Sequence, residues 1–242
     1  MRNATDEQIN NDEPLWRYYK TERFVDLLTT GELYFAAAHQ FQDPFEGATA
    51  VLPPGTCVDP RYPLDGELGE RAFKELRRLT KISCWHRAPY ESDAMWQLYA
   101  GAWKGVAIRT TPGRLSDAAT TFRLQPQHQG EDLWGGNVKY VDLLQERIRI
   151  NMLGRFWHKH MAFAWEREFR LGISLRLAEE FGIPVPEQGI RVPFNLDQMV
   201  DRIFLGPSLE RNEIEAIRNA AEQAGLGERV RVSSMLGIPR YT

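Results

Sequence analysis

The sequence contains little cysteine, no long apolar run and no large excess of charge of either sign. Its 242 residues include two cysteines, Cys57 and Cys84, which do not suggest a disulfide framework. No apolar run approaches the roughly 20 residues that a membrane span needs, and the polar, acidic first residues do not resemble a secretory signal. The formal net charge of −3 gives no overall attraction to nucleic acid or to an anionic membrane, although a local basic cleft is compatible with it. We therefore expect a cytoplasmic protein without a membrane partner.

The signature motifs of several common enzyme classes are also missing. The chain has no Gly-x-Gly-x-x-Gly, Walker or Gly-x-Ser-x-Gly sequence, so a Rossmann oxidoreductase, a P-loop NTPase and an α/β-hydrolase have no support. His158 and His160 are two residues apart and would not face each other on a helix. No Cys or acidic residue stands at a recognised metal-ligand spacing from them. We therefore predict no metal site.

Composition and element pattern predict an α+β fold. Hydrophobic residues make up 43% of the chain and aromatic residues 11%, which supports an ordinary globular core. Residues 1–13 are rich in Asn, Asp and Glu and are predicted to form a disordered or loosely attached arm. Neither an internal repeat nor a clear linker follows, so residues 14–242 are predicted to form a single α+β domain.

Periodicity and turn residues place the individual elements. The predicted strands are Leu15–Tyr19, Glu32–Ala36, Ile82–Trp85, Gly105–Ile108, Asn137–Val141, Arg202–Leu205 and Val230–Val232. The predicted helices are one from Thr21 that ends at Gly31, Arg71–Leu79, one that Ser92 or Asp93 caps, a long one over about 144–163, and one that Gly225 or Gly227 ends. Residues 52–69 and 112–136 are predicted to be irregular, and the last strand–helix–strand sequence is typical of a βαβ unit.

The most informative segment is Trp165–Leu171, because it carries charged side chains at alternate positions. In an extended strand, alternate side chains lie on one face. Glu166, Glu168 and Arg170 would then share a face, opposite apolar side chains. Such a face is either a solvated ladder of ion pairs or the floor of a charged active site, and both interpretations stay open at this point.

Ordered blocks along residues 15–235 are similar to those of one bacterial family. The blocks are Leu15–Lys20, Gly31–Phe35, Phe41–Glu46, Ile82–Trp85, Met95–Tyr99, Gly105–Ile108, Lys159, Trp165–Arg170 and Val200–Gly206. Their order and spacing resemble those of the bacterial domain of unknown function 2971 family. Arg17, Gln42 and Trp103 depart from that pattern, in which Lys, Asn and His are more usual.

The layout of these blocks in turn resembles that of ADP-ribosyltransferase-like domains, an analogy that concerns fold before function. The resemblance implies a single α+β domain with a central, split mixed β-sheet flanked by helices, and NAD as co-substrate. It implies a basic residue on the first strand, matched by Arg17. It also implies a catalytic glutamate on a later strand, matched by Glu168, with Glu166 as a second, upstream glutamate.

Further side chains are candidates for holding the dinucleotide. Arg17 or Arg170 could bind the pyrophosphate as a bidentate fork. Tyr18, Trp96 or Tyr99 could stack on the nicotinamide or the adenine. Trp96 and Tyr99 stand three residues apart on a helix, a spacing that is equally expected of core packing.

Three other features have two interpretations each. Asp43 and Glu46 belong to an Asp-Pro turn that either pins a loop to the core or lines the site. Cys84 lies in an apolar strand and is expected to be an inert buried thiol, with a nucleophilic role as the alternative. The basic residues Arg147, Arg149 and Arg155 form either a solvated face or a surface for nucleic acid.

The leading hypothesis is an NAD-dependent ADP-ribosyltransferase-like enzyme that modifies a macromolecule, either nucleic acid or protein. Cleavage of the nicotinamide–ribose bond passes through an oxocarbenium-like state, which a positioned carboxylate stabilises. A bacterial toxin or phage-defence module, with an antitoxin or another defence protein as partner, is the expected setting. The alternatives are a non-catalytic nucleotide- or partner-binding domain and a metal-independent nuclease.

Overall fold

The structure, a computed structural model, describes residues 1–51 and 66–241. Residues 52–65 of the predicted loop, Cys57 among them, lie outside the described residues. The chain divides into two compact units, each built from three separate segments. Unit 1 comprises Met1–Ile9, Tyr34–Cys84 and Thr121–Arg191, and unit 2 comprises Asn10–Leu33, Trp85–Thr120 and Val192–Thr242.

Both units contain strands and helices, which confirms the α+β class. The strands are β1 (Arg2–Asn3), β2 (Leu15–Tyr19), β3 (Glu32–Ala37), β4 (Thr80–Arg87), β5 (Val106–Thr110), β6 (Trp134–Asn137), β7 (Lys139–Val141), β8 (His158–His160), β9 (Glu168–Ser174), β10 (Ile190–Pro193), β11 (Arg202–Leu205) and β12 (Val230–Val232). The helices are α1 (Thr21–Thr30), α2 (Gly66–Leu79), α3 (Asp93–Tyr99), α4 (Pro112–Ala118), α5 (Arg176–Glu180), α6 (Leu196–Met199) and α7 (Arg211–Gln223). Across the described ranges, no helix combines the length and the apolar character that crossing a bilayer requires.

Unit 1 contains a mixed sheet in which β6 pairs in parallel with β1 and antiparallel with β9. Strand β9 is followed in sheet order by β4, which β3 joins in antiparallel pairing, and β7 and β8 form a separate parallel pair. Helix α2 closes one side of a core cluster whose buried members are Ala38, Leu76, Ile82, Phe156 and Trp157. The unit therefore places β9, with its charged residues, between two neighbouring strands.

The first residues of the predicted arm are attached to unit 1. Arg2 and Asn3 form β1 against Trp134 and Gly135 of β6, and the Arg2 guanidinium lies 2.8 Å from the Asp132 carboxylate. The domain boundary at residue 14 stays a prediction.

Unit 2 is also mixed: β2, β5 and β11 pair antiparallel, whereas β11 and β12 pair in parallel. The parallel pair and α7 form the predicted βαβ unit. Helix α1 ends at Gly31, as predicted, because this residue adopts a left-handed backbone (φ 68°) and its N–H donates to the Leu27 carbonyl. The predicted cap of α3 is also confirmed, since the Ser92 side chain accepts a hydrogen bond from the Met95 N–H.

Two element predictions are wrong. The long helix over 144–163 does not form: this segment contains the short 3-10 helix Gly154–Trp157 and strand β8. Its backbone instead bonds to a distant part of the chain, because the Ile148 N–H donates to the Thr49 carbonyl. Within 112–136, predicted to be irregular, Pro112 at the first turn begins α4, and β6 follows.

Candidate functional site

The predicted continuous strand over Trp165–Leu171 is interrupted at its centre. Glu166 ends the 3-10 helix Met161–Glu166, and Arg167 adopts a left-handed backbone conformation (φ 44°, ψ 56°). Strand β9 begins only at Glu168. Glu166 and Glu168 therefore do not share a strand face in the predicted way, but the turn at Arg167 still brings both carboxylates to one ammonium group.

That ammonium group belongs to Lys159, in the centre of β8. Its Nζ donates to Glu168 Oε1 at 2.8 Å and also hydrogen-bonds Glu166 Oε2. The other oxygen of Glu168 accepts from Arg170 Nε at 2.5 Å. Both oxygens of Glu168 are therefore held by cations.

Arg170 extends the network to Glu46 in a bidentate pair. Its Nη1 and Nη2 donate to the two Glu46 oxygens at 2.6 and 2.9 Å, and Nη1 also donates to the Phe156 carbonyl at 2.6 Å. The Arg170 side chain is 1% exposed and that of Glu46 is not exposed at all. Such planar, two-fold contacts are the strongest form of ion pairing.

We call Glu46, Lys159, Glu166, Glu168 and Arg170 the charge cluster. Every member is buried, with 7% relative exposure or less. The interpretation as a solvated ladder is therefore wrong, because the face is removed from water. Four predicted site residues, Glu46, Glu166, Glu168 and Arg170, are brought together here.

The two carboxylates around Lys159 differ in acidity. Burial and the hydrogen bond with Glu168 raise the pKa of Glu166 to about 7. Burial acts in the same direction on Glu168, but the Arg170 charge prevails and holds the pKa of Glu168 well below its usual range. Burial lowers and the Glu168 charge raises the pKa of Lys159, with a net increase. Near neutral pH, Glu168 and Lys159 are therefore charged, while Glu166 exchanges its proton.

Aromatic side chains surround this cluster. The Tyr140 hydroxyl accepts a hydrogen bond from the Glu168 N–H at 2.8 Å, and the Phe163 ring centroid lies 4.6 Å from Lys159 Nζ. Trp165, next to Glu166 in the chain, is 46% exposed. Tyr140 and Phe163 therefore contact the cluster at Glu168 and at Lys159.

Cys84 and Asp43 have structural roles that their contacts explain. Burial raises the pKa of the Cys84 thiol well above its usual value, so it stays protonated and is a poor nucleophile. Asp43 is buried, and its Oδ1 accepts from the Phe45 N–H at 2.8 Å, which forms the predicted turn. No hydrogen bond joins Oδ2 of Asp43 to the rest of the described chain.

The predicted stacking residues lie in unit 2. Tyr18 and Trp96 contact each other edge to face with ring centroids 5.0 Å apart, and both are buried. The Tyr18 hydroxyl accepts from the Ser92 N–H, and Trp96 Nε1 donates to Glu91. These contacts favour the packing interpretation for Tyr18 and Trp96. Tyr99, by contrast, is 48% exposed.

Arg17 also lies in unit 2, on β2, between two aromatic rings. Its guanidinium carbon is 5.3 Å from the Tyr19 ring centroid and 5.6 Å from the Trp85 ring. The Tyr19 hydroxyl and Trp85 Nε1 are buried atoms that find no hydrogen-bond partner in the described structure. Buried groups of this kind normally have partners, and the contacts of Arg17 with both rings favour packing around its guanidinium.

Two residues at the charge cluster were not identified as site residues from the sequence. The sequence indicates Lys159 only as part of a family block, and it gives no signal for Tyr140 as a site residue. The signal for Lys159 was a lysine within ten residues of two glutamates, which has no specificity without the fold. Among the residues that the structure describes, no group of three or more His, Cys, Asp and Glu side chains could hold a metal ion.

No family model matches the chain, and no curated protein matches it. The resemblance to the bacterial domain of unknown function 2971 family therefore stays a prediction.

Proposed function

We propose that the chain is an NAD-dependent ADP-ribosyltransferase-like enzyme that modifies a macromolecule, with Glu168 and Glu166 as its catalytic carboxylates. The observation that carries the proposal is the arrangement at Lys159. Two carboxylates share one ammonium group there, but one is held ionised and the other titrates near neutrality. Pairs of titratable groups whose surroundings separate their pKa values are typical of acid–base sites.

The chemistry assigns a different task to each carboxylate. When the bond between nicotinamide and C1′ of the ribose breaks, its electron pair leaves with nicotinamide and positive charge develops on the ribose. The ionised Glu168 stabilises that charge. The acceptor then forms the new bond to C1′ and gives up its proton to the ionised form of Glu166, whose pKa of about 7 suits a general base.

Arg17, in unit 2, is a separate candidate for binding a pyrophosphate, because a guanidinium matches phosphate oxygens with paired hydrogen bonds. Its guanidinium carbon lies 5.3 Å from the Tyr19 ring centroid and 5.6 Å from the Trp85 ring. The affinity for NAD, measured for wild type and Arg17→Gln without an acceptor, tests this contribution separately from catalysis, and we expect the variant to bind NAD more weakly.

A second function, a non-catalytic nucleotide- or partner-binding domain, is favoured by one observation. Both Glu168 oxygens already accept hydrogen bonds from Lys159 and Arg170, and the side chain is 7% exposed. In this alternative Glu168 only positions its neighbours. Ligand binding would then survive Glu168→Gln, with no turnover in either form.

The test is incubation of the protein with labelled NAD and cell extract. We expect the wild type to consume NAD and to label a macromolecule, and Glu168→Gln to lose about 100-fold or more of that rate. Glu166→Gln should lower the rate while NAD still binds, and Glu215→Gln, on the exposed face of α7, is the matched control. Circular dichroism establishes that each variant is folded. The proposal fails if the wild type does not consume NAD, does not label a macromolecule and does not bind NAD.

The biological setting belongs to the same proposal. A toxin or phage-defence effector that acts in the cytoplasm should arrest bacterial growth when the wild type is expressed, and Glu168→Gln should relieve the arrest. Co-expression of an antitoxin or defence-system partner with the wild-type enzyme should restore growth. If the expressed wild type consumes NAD but does not slow growth, the toxin hypothesis fails while the proposed enzyme activity stands.

A further inference from the structure

Unit 1 contains a basic pocket of about 290 Å³ that the proposed reaction does not use. Its lining residues are Thr49, Arg147, Ile148, Arg149, Ile150 and Arg155. Three of these six side chains are guanidinium groups, and none of the described lining residues is a carboxylate. The segment that was interpreted from the sequence as either a solvated face or a nucleic-acid surface therefore forms a concave site.

The backbone holds the three arginines in place. The Ile148 N–H donates to the Thr49 carbonyl at 2.9 Å, which fixes the segment that carries Arg147 and Arg149. Arg155 belongs to the 3-10 helix Gly154–Trp157, whose aromatic residues are buried in the core of the unit. The Arg155 guanidinium carbon lies 5.2 Å from the Phe73 ring centroid, so a cation–π contact with this ring holds the side chain in place.

The guanidinium groups lack the partners that such groups normally have. Among the side chains that the structure describes, those of residues 1–51 and 71–241, no carboxylate forms an ion pair with Arg147, Arg149 or Arg155. Arg155 Nε is buried and makes no hydrogen bond, although a buried donor without an acceptor is costly. Burial also lowers the pKa of Arg155. An anion in the pocket would relieve the repulsion among three like charges.

We propose that this pocket binds the phosphate groups of a single-stranded nucleic acid. Guanidinium groups match phosphate oxygens with paired hydrogen bonds, and phosphate contacts supply most of the affinity of such complexes. The volume is at the lower limit of ligand pockets and accommodates one or two phosphates, with the rest of the strand outside. Arg147 and Arg149 are exposed, so a strand can continue past them. Ile148 and Ile150 offer apolar contacts to its sugars.

Binding is tested without NAD, so the result is independent of the proposed transferase activity. Fluorescence anisotropy follows a labelled oligodeoxythymidine of about 20 nucleotides at several salt concentrations between about 50 and 200 mM. We expect Arg147→Gln/Arg149→Gln to weaken binding roughly tenfold at the lowest salt and to reduce the slope of log K against log salt by about 1.4, or about 0.7 for each lost contact. Arg176→Gln/Arg211→Gln is the control, because it removes the same charge from guanidiniums that already pair with Glu180 and Glu215.

Three outcomes would overturn the proposal. The first is that the wild type does not bind the oligonucleotide, and the second is that both double variants lose the same affinity, as a non-specific charge effect predicts. The third comes from a parallel titration with NAD and with inorganic pyrophosphate. If these ligands lose affinity in Arg147→Gln/Arg149→Gln while oligonucleotide binding is unchanged, the phosphate that the pocket binds belongs to the dinucleotide.

Discussion

Glu166 should contribute to the pH dependence of stability. Its folded pKa of about 7 is raised above the ordinary value of 4.5 because the side chain is buried and hydrogen-bonds Glu168. The folded state therefore holds the Glu166 proton more tightly than the unfolded state does. The stabilisation is complete below about pH 4.5 and is lost as the pH rises towards 7.

The magnitude follows from the size of the shift. At about 1.4 kcal/mol for each pH unit, the full shift corresponds to about 3 kcal/mol. The Glu166 side chain retains 9% exposure at the margin of the charge cluster. Because Glu166 titrates together with its neighbour Glu168, only part of this energy belongs to Glu166, and the expected contribution is about 1 to 2 kcal/mol.

The assay is urea unfolding of wild type and Glu166→Gln between pH 4.5 and 8. The free energy of unfolding of wild type minus that of the variant should fall by about 1 to 2 kcal/mol over this range, because titrating groups that do not contact Glu166 contribute equally to both proteins. Glu215→Gln, on the surface of α7, should follow the wild-type profile. A difference that stays flat, or that rises with pH, would refute the proposed state of Glu166.

Three further substitutions test individual contacts. Arg170→Met leaves the buried Glu46 carboxylate without its bidentate partner and should lower the free energy of unfolding by about 3 to 5 kcal/mol in urea titrations; a loss under about 1 kcal/mol would contradict the ion pair. Gly172→Ala places a Cβ 2.6 Å from the Trp157 ring, so it should cost about 1 to 3 kcal/mol, visible as a lower melting temperature. Ser92→Ala removes the cap of α3 and should cost about 1 kcal/mol by the same measurement, whereas Ser92→Asp should retain most of the stability.

The elements that were predicted correctly depend on local determinants. Gly31 ends α1 because the left-handed conformation there is available to glycine at little cost. Ser92 caps α3 through a hydrogen bond that spans three residues. The βαβ unit follows from apolar spacing in α7 and short apolar strands on either side. In each case the residues that determine the structure lie within one continuous stretch of the sequence.

The segment 144–163 could not be predicted in this way because its structure depends on distant partners. Four apolar residues near helical spacing indicated a helix, but only Phe156 of the four is buried in the structure. Backbone bonds to Thr49 and the burial of Lys159 against Glu166 and Glu168 determine its course instead. Tertiary contacts therefore override local helix propensity here.

The charge cluster could be predicted only in part for the same reason. Glu166, Glu168 and Arg170 stand at alternate positions of one short segment, so the sequence identifies them together. The pairing of Arg170 with Glu46 spans 124 residues, and nothing in either local sequence encodes it. The predicted alternation of side chains in Trp165–Leu171 requires a continuous strand, whereas Arg167 turns the backbone at the centre of this segment.

The proton on Glu166 connects the stability of the charge cluster with its proposed chemistry. With all three carboxylates ionised, Glu46, Glu166 and Glu168 outnumber the two cations, so one negative charge is buried without a counter-charge. Protonation of Glu166 removes that excess. Burial, the hydrogen bond with Glu168 and the Glu168 charge raise the pKa of Glu166, whereas the Arg170 charge holds the pKa of Glu168 low. The group that weakens the fold above neutral pH is therefore the same group that can accept a proton from a bound acceptor. A cluster selected for stability alone would replace Glu166 with a neutral residue, because buried ion pairs seldom stabilise a protein more than apolar packing does.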